Sequence, residues 1–269
     1  MLQCVIAAGK GYKVLMDKSF NRIGIFSGST LKIIACILMA IDHIGLELFP
    51  QYIIFRIIGR LAFPLFAFFI AEGCRYTKNR LKRFLTIFCV GLILFVFYLF
   101  YMGEAYGNIF MTFSVSVLLI YLLQFVKKQL FEGDRLFVAV LSVLAFVIAL
   151  IITYVVFDKV HFEYGYSGML VPVIVSLFDF SRINVSNKIR FLDTFPVTLI
   201  LFALSLIPLS IYGRLAEIQF YCLFSVPLIM LYNGKPGSKS MKYAFYIFYP
   251  AHLVVIEGIA FLIHFLNGG

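Results

Sequence analysis

Long, uninterrupted apolar runs recur along this chain of 269 residues, and they constrain its fold more than any other feature. As a helix, a run of about 18 or more residues crosses the roughly 30 Å hydrocarbon core of a bilayer. The runs do not alternate between apolar and polar residues, so they predict transmembrane helices and not barrel strands. Charged residues make up only 13% of the chain, against roughly 25% in soluble domains, so the polar surface of a soluble fold is missing.

The sequence predicts an all-α fold, a polytopic bundle of about nine transmembrane helices with a range of eight to ten. The predicted spans are 31–49, 53–74, 84–102, 109–126, 136–157, 165–180, 195–213, 216–232 and 243–266. They form a single integral membrane domain over 31–269. Residues 1–30 precede it as a cytoplasmic or interfacial segment whose four basic residues are suited to anionic headgroups.

Basic residues in the predicted loops indicate the orientation of the bundle. Segments assigned to the cytoplasmic side hold 18 of the 23 Lys and Arg residues, whereas outer segments hold only Lys159 and Arg214. Cytoplasmic loops are enriched in Lys and Arg, so we expect the N-terminus inside and the C-terminus outside. The net charge of +10 therefore reflects topology and does not indicate a nucleic-acid partner.

The five cysteines, Cys4, Cys36, Cys74, Cys89 and Cys222, lie in or near predicted spans. Their spacing matches no metal-binding motif. We therefore expect reduced thiols and no zinc or other metal site.

Ionisable residues in the first predicted span carry the main functional signal, because such groups are costly in a bilayer and mark functional sites. Lys32 and His43 are eleven residues apart, so they share a helical face about 16 Å apart, a length comparable to an extended phosphopantetheine arm. Glu47, one turn beyond His43, lies on that face and is predicted to support His43 as a general base. Asp42 is rotated by about 100° from His43 and is the poorer orienting group.

Two arginines, Arg56 and Arg60, share one face of the second predicted span. Counting outward from the turn near Gln51 places Asp42 at the depth of Arg60. The same count places Glu47 at the depth of Arg56. Two interpretations of these arginines are open. They form structural ion pairs that lock a helical hairpin, or they contact a substrate.

The loop 75–83 contains five basic residues and no acid. The enrichment of cytoplasmic loops in basic residues explains most of this charge. It does not explain why Arg80 and Arg83, one turn apart, begin the third predicted span. This spacing predicts a clamp for a phosphate group at the cytoplasmic face.

Two later segments also carry polar groups. His252 follows Pro250 by two residues in the last predicted span, and it either bonds a backbone carbonyl that the proline frees or belongs to a site. The outer segment 158–166, which contains Glu163 and Tyr164, is typical of an ordinary polar loop. The alternative is that it shapes the mouth of a substrate site.

Four runs in the sequence resemble the signature segments of the TraX family: LKIIACILMAIDHIG, FRIIGRLAFPLFAFFIAEGCRYTKNR, LYNGKPG and KYAFYIFYPAHL. The resemblance extends from about residue 31 to residue 260. The family is named for a conjugation-associated membrane protein that N-acetylates the N-terminus of pilin. The resemblance thus implies a membrane acetyltransferase. Many members have no conjugation system, so the pilin substrate does not follow from the fold.

A looser resemblance connects the chain to acyltransferase-three-type membrane enzymes. The pair Lys32-x10-His43 is similar to their Arg/Lys-x10-His motif, and Arg80-Leu-Lys-Arg83 is similar to their Arg-x-x-Arg motif. In those enzymes the His is held to be catalytic and the Arg pair to bind acyl-CoA. Their Phe-Phe-x-x-Ser-Gly motif corresponds to residues 68–73 here, with Glu72 in place of Ser. A second departure is Lys32 in place of the commoner Arg.

Together these observations predict a membrane-embedded transferase in the bacterial cytoplasmic membrane, with acetyl-CoA or another acyl-CoA as co-substrate. Lys32, Arg80 and Arg83 are expected to hold the donor. His43 is expected to deprotonate an amine or hydroxyl on a peptide, glycan or small molecule, and membrane lipid is the other partner. The rival is a transporter or assembly factor without chemistry, since intramembrane His, Asp and Arg also mark proton relays. The internal repeats common in transporters are not evident in the sequence.

Overall fold

The computed structural model describes residues 24–103, 106–212, 216–238 and 241–266. Within these ranges every regular element is a helix, apart from two isolated β-bridges. In chain order the helices are α1 (Gly28–Glu47), α2 (Ile53–Gly59), α3 (Ala62–Tyr76), α4 (Arg80–Met102), α5 (Ile109–Glu132), α6 (Leu136–Lys159), α7 (Gly165–Val175), α8 (Asn187–Arg190), α9 (Phe195–Tyr212), α10 (Ala216–Gln219), α11 (Ser225–Met230) and α12 (Met241–Leu266). A 3₁₀ turn, Phe220–Phe224, lies between α10 and α11.

Six helical segments in the described ranges are long and apolar enough to cross a membrane: α1, α2 with α3, α4, α5, α6 and α12. The remaining three predicted spans correspond to shorter apolar helices, Gly165–Val175, Phe195–Ile211 and Glu217–Met230. The predicted class, a helical membrane protein, is confirmed. The count of nine spans and the orientation of the termini stay predictions.

Part of the predicted cytoplasmic or interfacial segment 1–30 lies outside the described residues, as do Cys4 and Arg214. The other cysteines are free thiols. Among them Cys36, Cys74 and Cys222 are buried, and Cys89 is exposed.

Side-chain caps explain where several helices begin. The Ser27 side chain accepts a hydrogen bond from the Thr30 N–H at the start of α1. The Asn79 side chain caps α4 in the same way, and the Asn108 side chain caps α5. Ser and Asn are favoured at this position because their oxygens satisfy N–H groups that the helix leaves unpaired. Helix α4 ends at Gly103 with φ 72°, a left-handed conformation suited to glycine.

Helix α5 lies in the interior of the bundle, with buried residues from Ile109 to Lys127. Helix α6 instead exposes most of its apolar side chains, including Ile148 and Ile151. An exposed apolar face of this kind is what a helix presents to lipid. The bundle therefore has a lipid-facing exterior at α6 and a protein core around α5.

The segment in front of α12 is bonded to the start of α1. The N–H of Phe26 donates to the carbonyl of Leu231 at 2.9 Å, and the N–H of Gly28 donates to that of Lys235 at 2.8 Å. Gly237 has φ 80°, and a Cβ there would lie 2.4 Å from the Ser29 Oγ. The LYNGKPG run, which precedes α12 in the chain, thus packs against the start of α1 and is bonded to it.

A buried charge network holds the connection between α7 and α9 against α3 and α5. Arg75 forms ion pairs with Asp193 at 2.6 Å and Asp179 at 3.3 Å. The Lys127 ammonium donates to the carbonyl of Asp179 at 2.8 Å and to that of Ser176 at 3.0 Å. The sequence assigned Arg75 and Lys127 to cytoplasmic loops, whereas the structure gives them buried acceptors.

Helices α1 and α2 form a close hairpin that is locked by charge. The Asp42 carboxylate pairs with Arg56 at 2.9 Å and also with Arg60. A Cβ on Gly59 would lie 2.2 Å from the Asp42 Cβ, so only glycine permits this approach. The expected pair of Asp42 and Arg60 is present. Arg56 also bonds Asp42, while Glu47 is exposed.

Replacing Asp42 by Asn should destabilise the fold, because the change leaves the buried Arg60 and the half-buried Arg56 without their counter-charge. Breaking a buried ion pair on one side costs about 3–5 kcal/mol, which thermal unfolding of the detergent-solubilised protein would reveal. The control is Glu47→Gln, an exposed site where we expect a change within about 0.5 kcal/mol. Equal losses in the two variants would contradict this pairing, since they would mean that Glu47 also carries an essential charge.

Candidate functional site

His43 on α1 and His252 on α12 lie beside each other, although 208 other residues separate them in the sequence. Their ring centroids are 5.0 Å apart and the rings are nearly perpendicular, at 72°. His252 is buried, and the Phe248 ring stacks on it with a centroid distance of 5.1 Å. The only two histidines predicted to lie mid-span are therefore neighbours. In contrast, no hydrogen bond joins His43 to Glu47 within the described part of the chain.

The hydrogen bonding of His252 assigns its tautomer. Its Nδ1 lies 3.0 Å from the carbonyl oxygen of Phe248, so Nδ1 carries the proton and donates. The Nε2 atom is then a lone-pair acceptor, and it is buried without a hydrogen-bond partner among the residues that the structure describes. The carbonyl that Pro250 frees is that of Tyr246, one turn before the proline, whereas His252 bonds the carbonyl of Phe248. The observed backbone bond is therefore not the one predicted, and the location of His252 beside His43 fits the alternative that it belongs to a site.

Glu163 lies in the connection between α6 and α7 and reaches into the same region. Its Oε2 accepts hydrogen bonds from the Ile109 N–H at 2.9 Å and from the Tyr249 hydroxyl at 3.2 Å. Burial raises the pKa of Glu163 to about 7, against the lowering effect of those two bonds and of Arg60. Tyr249 in turn packs edge-on against His252 with centroids 5.5 Å apart. Glu163 is thus connected to the histidine pair through Tyr249.

A small cavity of about 10 Å³ lies among these groups. Its polar wall is formed by Asp42, His43, Glu163, Tyr164 and Tyr249. A space of this size holds about one water molecule. Entry of a larger group therefore requires the surrounding side chains to move.

Tyr164 has φ 62°, the only positive φ at a non-glycine residue in the described ranges. Its ring stacks on Phe63 with centroids 3.8 Å apart, which holds the residue in this costly conformation. Such strain often accompanies functional sites. Within the segment 158–166, Glu163 and Tyr164 line the cavity, whereas residues 158–161 are exposed. In the sequence, the only sign of this site was a carboxylate and an aromatic ring beside Gly165. Such a pattern does not distinguish a buried loop from an exposed one.

The three predicted donor-binding residues lie toward the start of α1 and α4. The Arg83 Nη2 donates to the carbonyl of Ile70 at 3.1 Å, and a Cβ on Gly73 would lie 2.2 Å from that nitrogen. The Arg80 guanidinium lies 5.3 Å from the ring centroid of Tyr121. Arg80 and Arg83 are therefore held by different partners and do not form one fork.

Lys32 lies among aromatic rings near the start of α1. Its Nζ is 5.1 Å from the ring centroid of Phe69 and 5.7 Å from that of Phe245. Both distances suit cation–π attraction. These rings come from α3 and α12, so Lys32 lies where these two helices meet α1.

The unusual pKa of Glu163 predicts a pH dependence of stability. Its ordinary pKa of 4.5 rises to about 7 in the folded protein. Below pH 4.5 the Glu163 carboxyl is protonated in both the folded and the unfolded protein, so no buried charge destabilises the fold. Above pH 7 the carboxylate is charged in both states, and its burial destabilises the fold fully. The free energy of unfolding should therefore fall as the pH rises from 4.5 to 7. Each pKa unit corresponds to roughly 1.4 kcal/mol, which gives a fall of up to about 3 kcal/mol from this group.

Thermal unfolding of wild-type protein and Glu163→Gln between pH 4.5 and 7.5 would measure this contribution. The Gln variant should lack that fall, while the exposed control Glu217→Gln should follow the wild type. A Glu163→Gln profile parallel to the wild type would show that Glu163 is charged throughout.

Two known proteins are similar to this chain. It is 25% identical over 256 residues to "Probable fimbrial assembly protein FimC, serogroup H1" from Dichelobacter nodosus, a match covering 86% of this chain and 94% of that protein. It is 30% identical over 128 residues to an uncharacterized protein from Rickettsia prowazekii (strain Madrid E), covering 41% of this chain and 52% of that one. No solved structure matches the chain.

The family model described as "TraX protein" matches residues 27–260. This range includes His43, His252 and Glu163. It also includes Asp42 with its two arginine partners and the residues toward the start of α4. It confirms the resemblance found in the four sequence runs. The chain is a member of the TraX family.

Proposed function

We propose that this protein is a membrane-embedded acyltransferase that moves an acetyl or other acyl group from acyl-CoA to an amine or hydroxyl acceptor. The observation that carries the proposal is His43, which lines a small cavity with Asp42 and Glu163 and lies beside His252 inside an apolar bundle. Packing alone does not require imidazoles in membrane-spanning helices, where polar groups are costly. Histidine is also the commonest general base in enzymes.

In this mechanism His43 takes the proton from the acceptor as its nitrogen or oxygen attacks the thioester carbonyl. The new C–N or C–O bond forms, the C–S bond breaks, and the CoA thiolate leaves. His43 then returns the proton to the departing sulfur. One side chain thus serves as base and then as acid.

His252 takes the supporting position that the sequence suggested for Glu47. Because its Nδ1 proton is held by Phe248, its Nε2 is left as a hydrogen-bond acceptor in a buried place. An acceptor beside His43 would stabilise the imidazolium that forms during the reaction, as the third group of a catalytic triad does. Asp42 has a different role in this account, since its carboxylate is bonded to both arginines of the hairpin.

The donor would enter from the end of the bundle that carries the basic loops. Arg80 and Lys32 lie toward that end, and Lys32 precedes His43 by eleven residues, or about 16 Å of helix. That length suits a phosphopantetheine arm running along α1 to the histidine pair. Arg83 contributes to this region by fixing α3, because its guanidinium donates to α3 carbonyls.

The acceptor is best sought among subunits of surface appendages. The relative from Dichelobacter nodosus carries the name of a probable fimbrial assembly protein. The TraX family is named for a membrane protein that N-acetylates the N-terminus of pilin. A peptide N-terminal amine therefore fits both observations, and a hydroxyl of an envelope glycan is the alternative acceptor.

The second candidate function is assembly of fimbriae without chemistry, which the name of the same relative favours. Release of CoA distinguishes the two functions. An acyltransferase releases CoA from acetyl-CoA, and an assembly factor does not.

Replacing His43 by Ala should lower acetyl transfer to a peptide amine by about 10²–10⁴, the usual contribution of a general base. Transfer by the purified protein in nanodiscs would be followed with labelled acetyl-CoA. Binding of CoA should remain, because the donor's phosphates would bind at the end of the bundle that carries the basic loops, away from His43. The matched control is His264→Ala, an exposed histidine of α12, which should act like the wild type.

Two outcomes would contradict the assignment. Full activity of His43→Ala with loss of activity in His252→Ala would move the base to His252. Wild-type protein that releases no CoA with any peptide or glycan acceptor would instead favour the assembly function.

A further inference from the structure

A second cavity, of about 240 Å³, lies at the end of the bundle where α4 begins. This is far more space than a single water requires, roughly 10–15 Å³. Arg80 of α4 and Lys128 of α5 line it, together with Arg182 of the α7–α9 connection. The sequence pointed to Arg80 alone among these three.

The charges around this cavity favour an anion. Three cations line it against one acid, Asp179. Burial would raise the pKa of the Asp179 carboxyl, but Arg75 holds that pKa below its usual value, so the carboxylate stays charged and bound to Arg75. Arg75 is shared with Asp193, and the buried Lys127 beside Asp179 supplies a second positive charge. These two cations balance the two aspartates, so a phosphate group in the cavity would meet a net positive wall.

Gln124 adds a specific polar group. Its side chain is 5% exposed, and its Nε2 donates to the Asp179 carboxylate at 3.2 Å. A carboxylate only accepts hydrogen bonds, so this contact fixes which end of the amide faces Asp179. The Oε1 atom is left as a buried acceptor without a partner among the described residues. A ligand that fills the cavity is thus expected to bring an N–H donor as well as phosphate.

The geometry points to this cavity as the binding site for the phosphorylated adenosine end of acyl-CoA, an inference that rests on the proposed function. The phosphates would contact Arg80, Lys128 and Arg182. The exocyclic amine of adenine would donate to the Gln124 Oε1. The pantetheine arm would leave the cavity toward α1 and His43. Lys128 and Gln124 then become donor-binding residues, and Arg83 of the predicted clamp does not.

Binding is tested with the full-length protein in nanodiscs by calorimetry with CoA. Lys128→Ala should weaken CoA binding by about tenfold, the effect of losing one charge-assisted phosphate contact. Lys128 is exposed, so this variant should fold normally. The matched control is Lys82→Ala, which removes the same charge from an exposed site on α4 outside the cavity and should bind CoA like the wild type. Adenosine 3′,5′-bisphosphate should displace CoA, and pantetheine should not.

The outcomes separate this site from the proposed function. Wild-type binding of CoA with no difference between Lys128→Ala and Lys82→Ala would overturn the site and leave the transferase intact. Displacement by glycerophosphoethanolamine, with no effect of the adenosine bisphosphate, would assign the cavity to a lipid headgroup and overturn the inference. Binding as predicted, without any acetyl transfer, would support the site and count against the transferase.

Discussion

The buried contact of Asp42 with Arg56 and Arg60 is the interaction on which the arrangement of the site depends. Removing charged groups from water is costly, and the contact of the Asp42 carboxylate with both arginines offsets part of that cost. The contact requires α1 and α2 to approach closely, which Gly59 permits. With the hairpin fixed, Asp42 faces α2. Because successive helical residues are rotated by about 100°, His43 then faces another neighbour, α12, and meets His252 there.

Local helix geometry made the contact of Asp42 with Arg60 predictable from the sequence. The depth match of Asp42 and Arg60 followed from a fixed rise per residue in two antiparallel helices. Counting residues from the turn also paired Glu47 with Arg56. Such counting assumes that each side chain lies at the depth of its own Cα, and it ignores how far a long side chain reaches along the helix. The long Arg56 side chain instead reaches the Asp42 carboxylate, 14 residues back along the chain.

The contacts between distant elements were not predictable from one sequence. The approach of His43 to His252 joins the first long helix to the last, and helical periodicity cannot show which helices are neighbours. Glu163 looked like a loop residue because burial of a connection depends on the helices around it. Arg80 and Arg83 matched a phosphate-clamp spacing, yet Gly73 leaves room for Arg83 to donate to α3 carbonyls. The resemblance to the TraX family was confirmed because it rests on long runs of residues and not on any single contact.

In the proposed mechanism the donor binds at one end of the bundle and the acyl group is transferred near His43. The side of the membrane from which acetyl-CoA is used therefore tests this mechanism most directly. Sealed proteoliposomes would receive acetyl-CoA either inside or outside, with a peptide amine present on both sides. In a variant without the five native cysteines, labelling of one cysteine placed in the loop 75–83 would give the orientation of the protein. We expect CoA release only when acetyl-CoA is on the side of that loop. Release only from the opposite side, or from neither side, would contradict it.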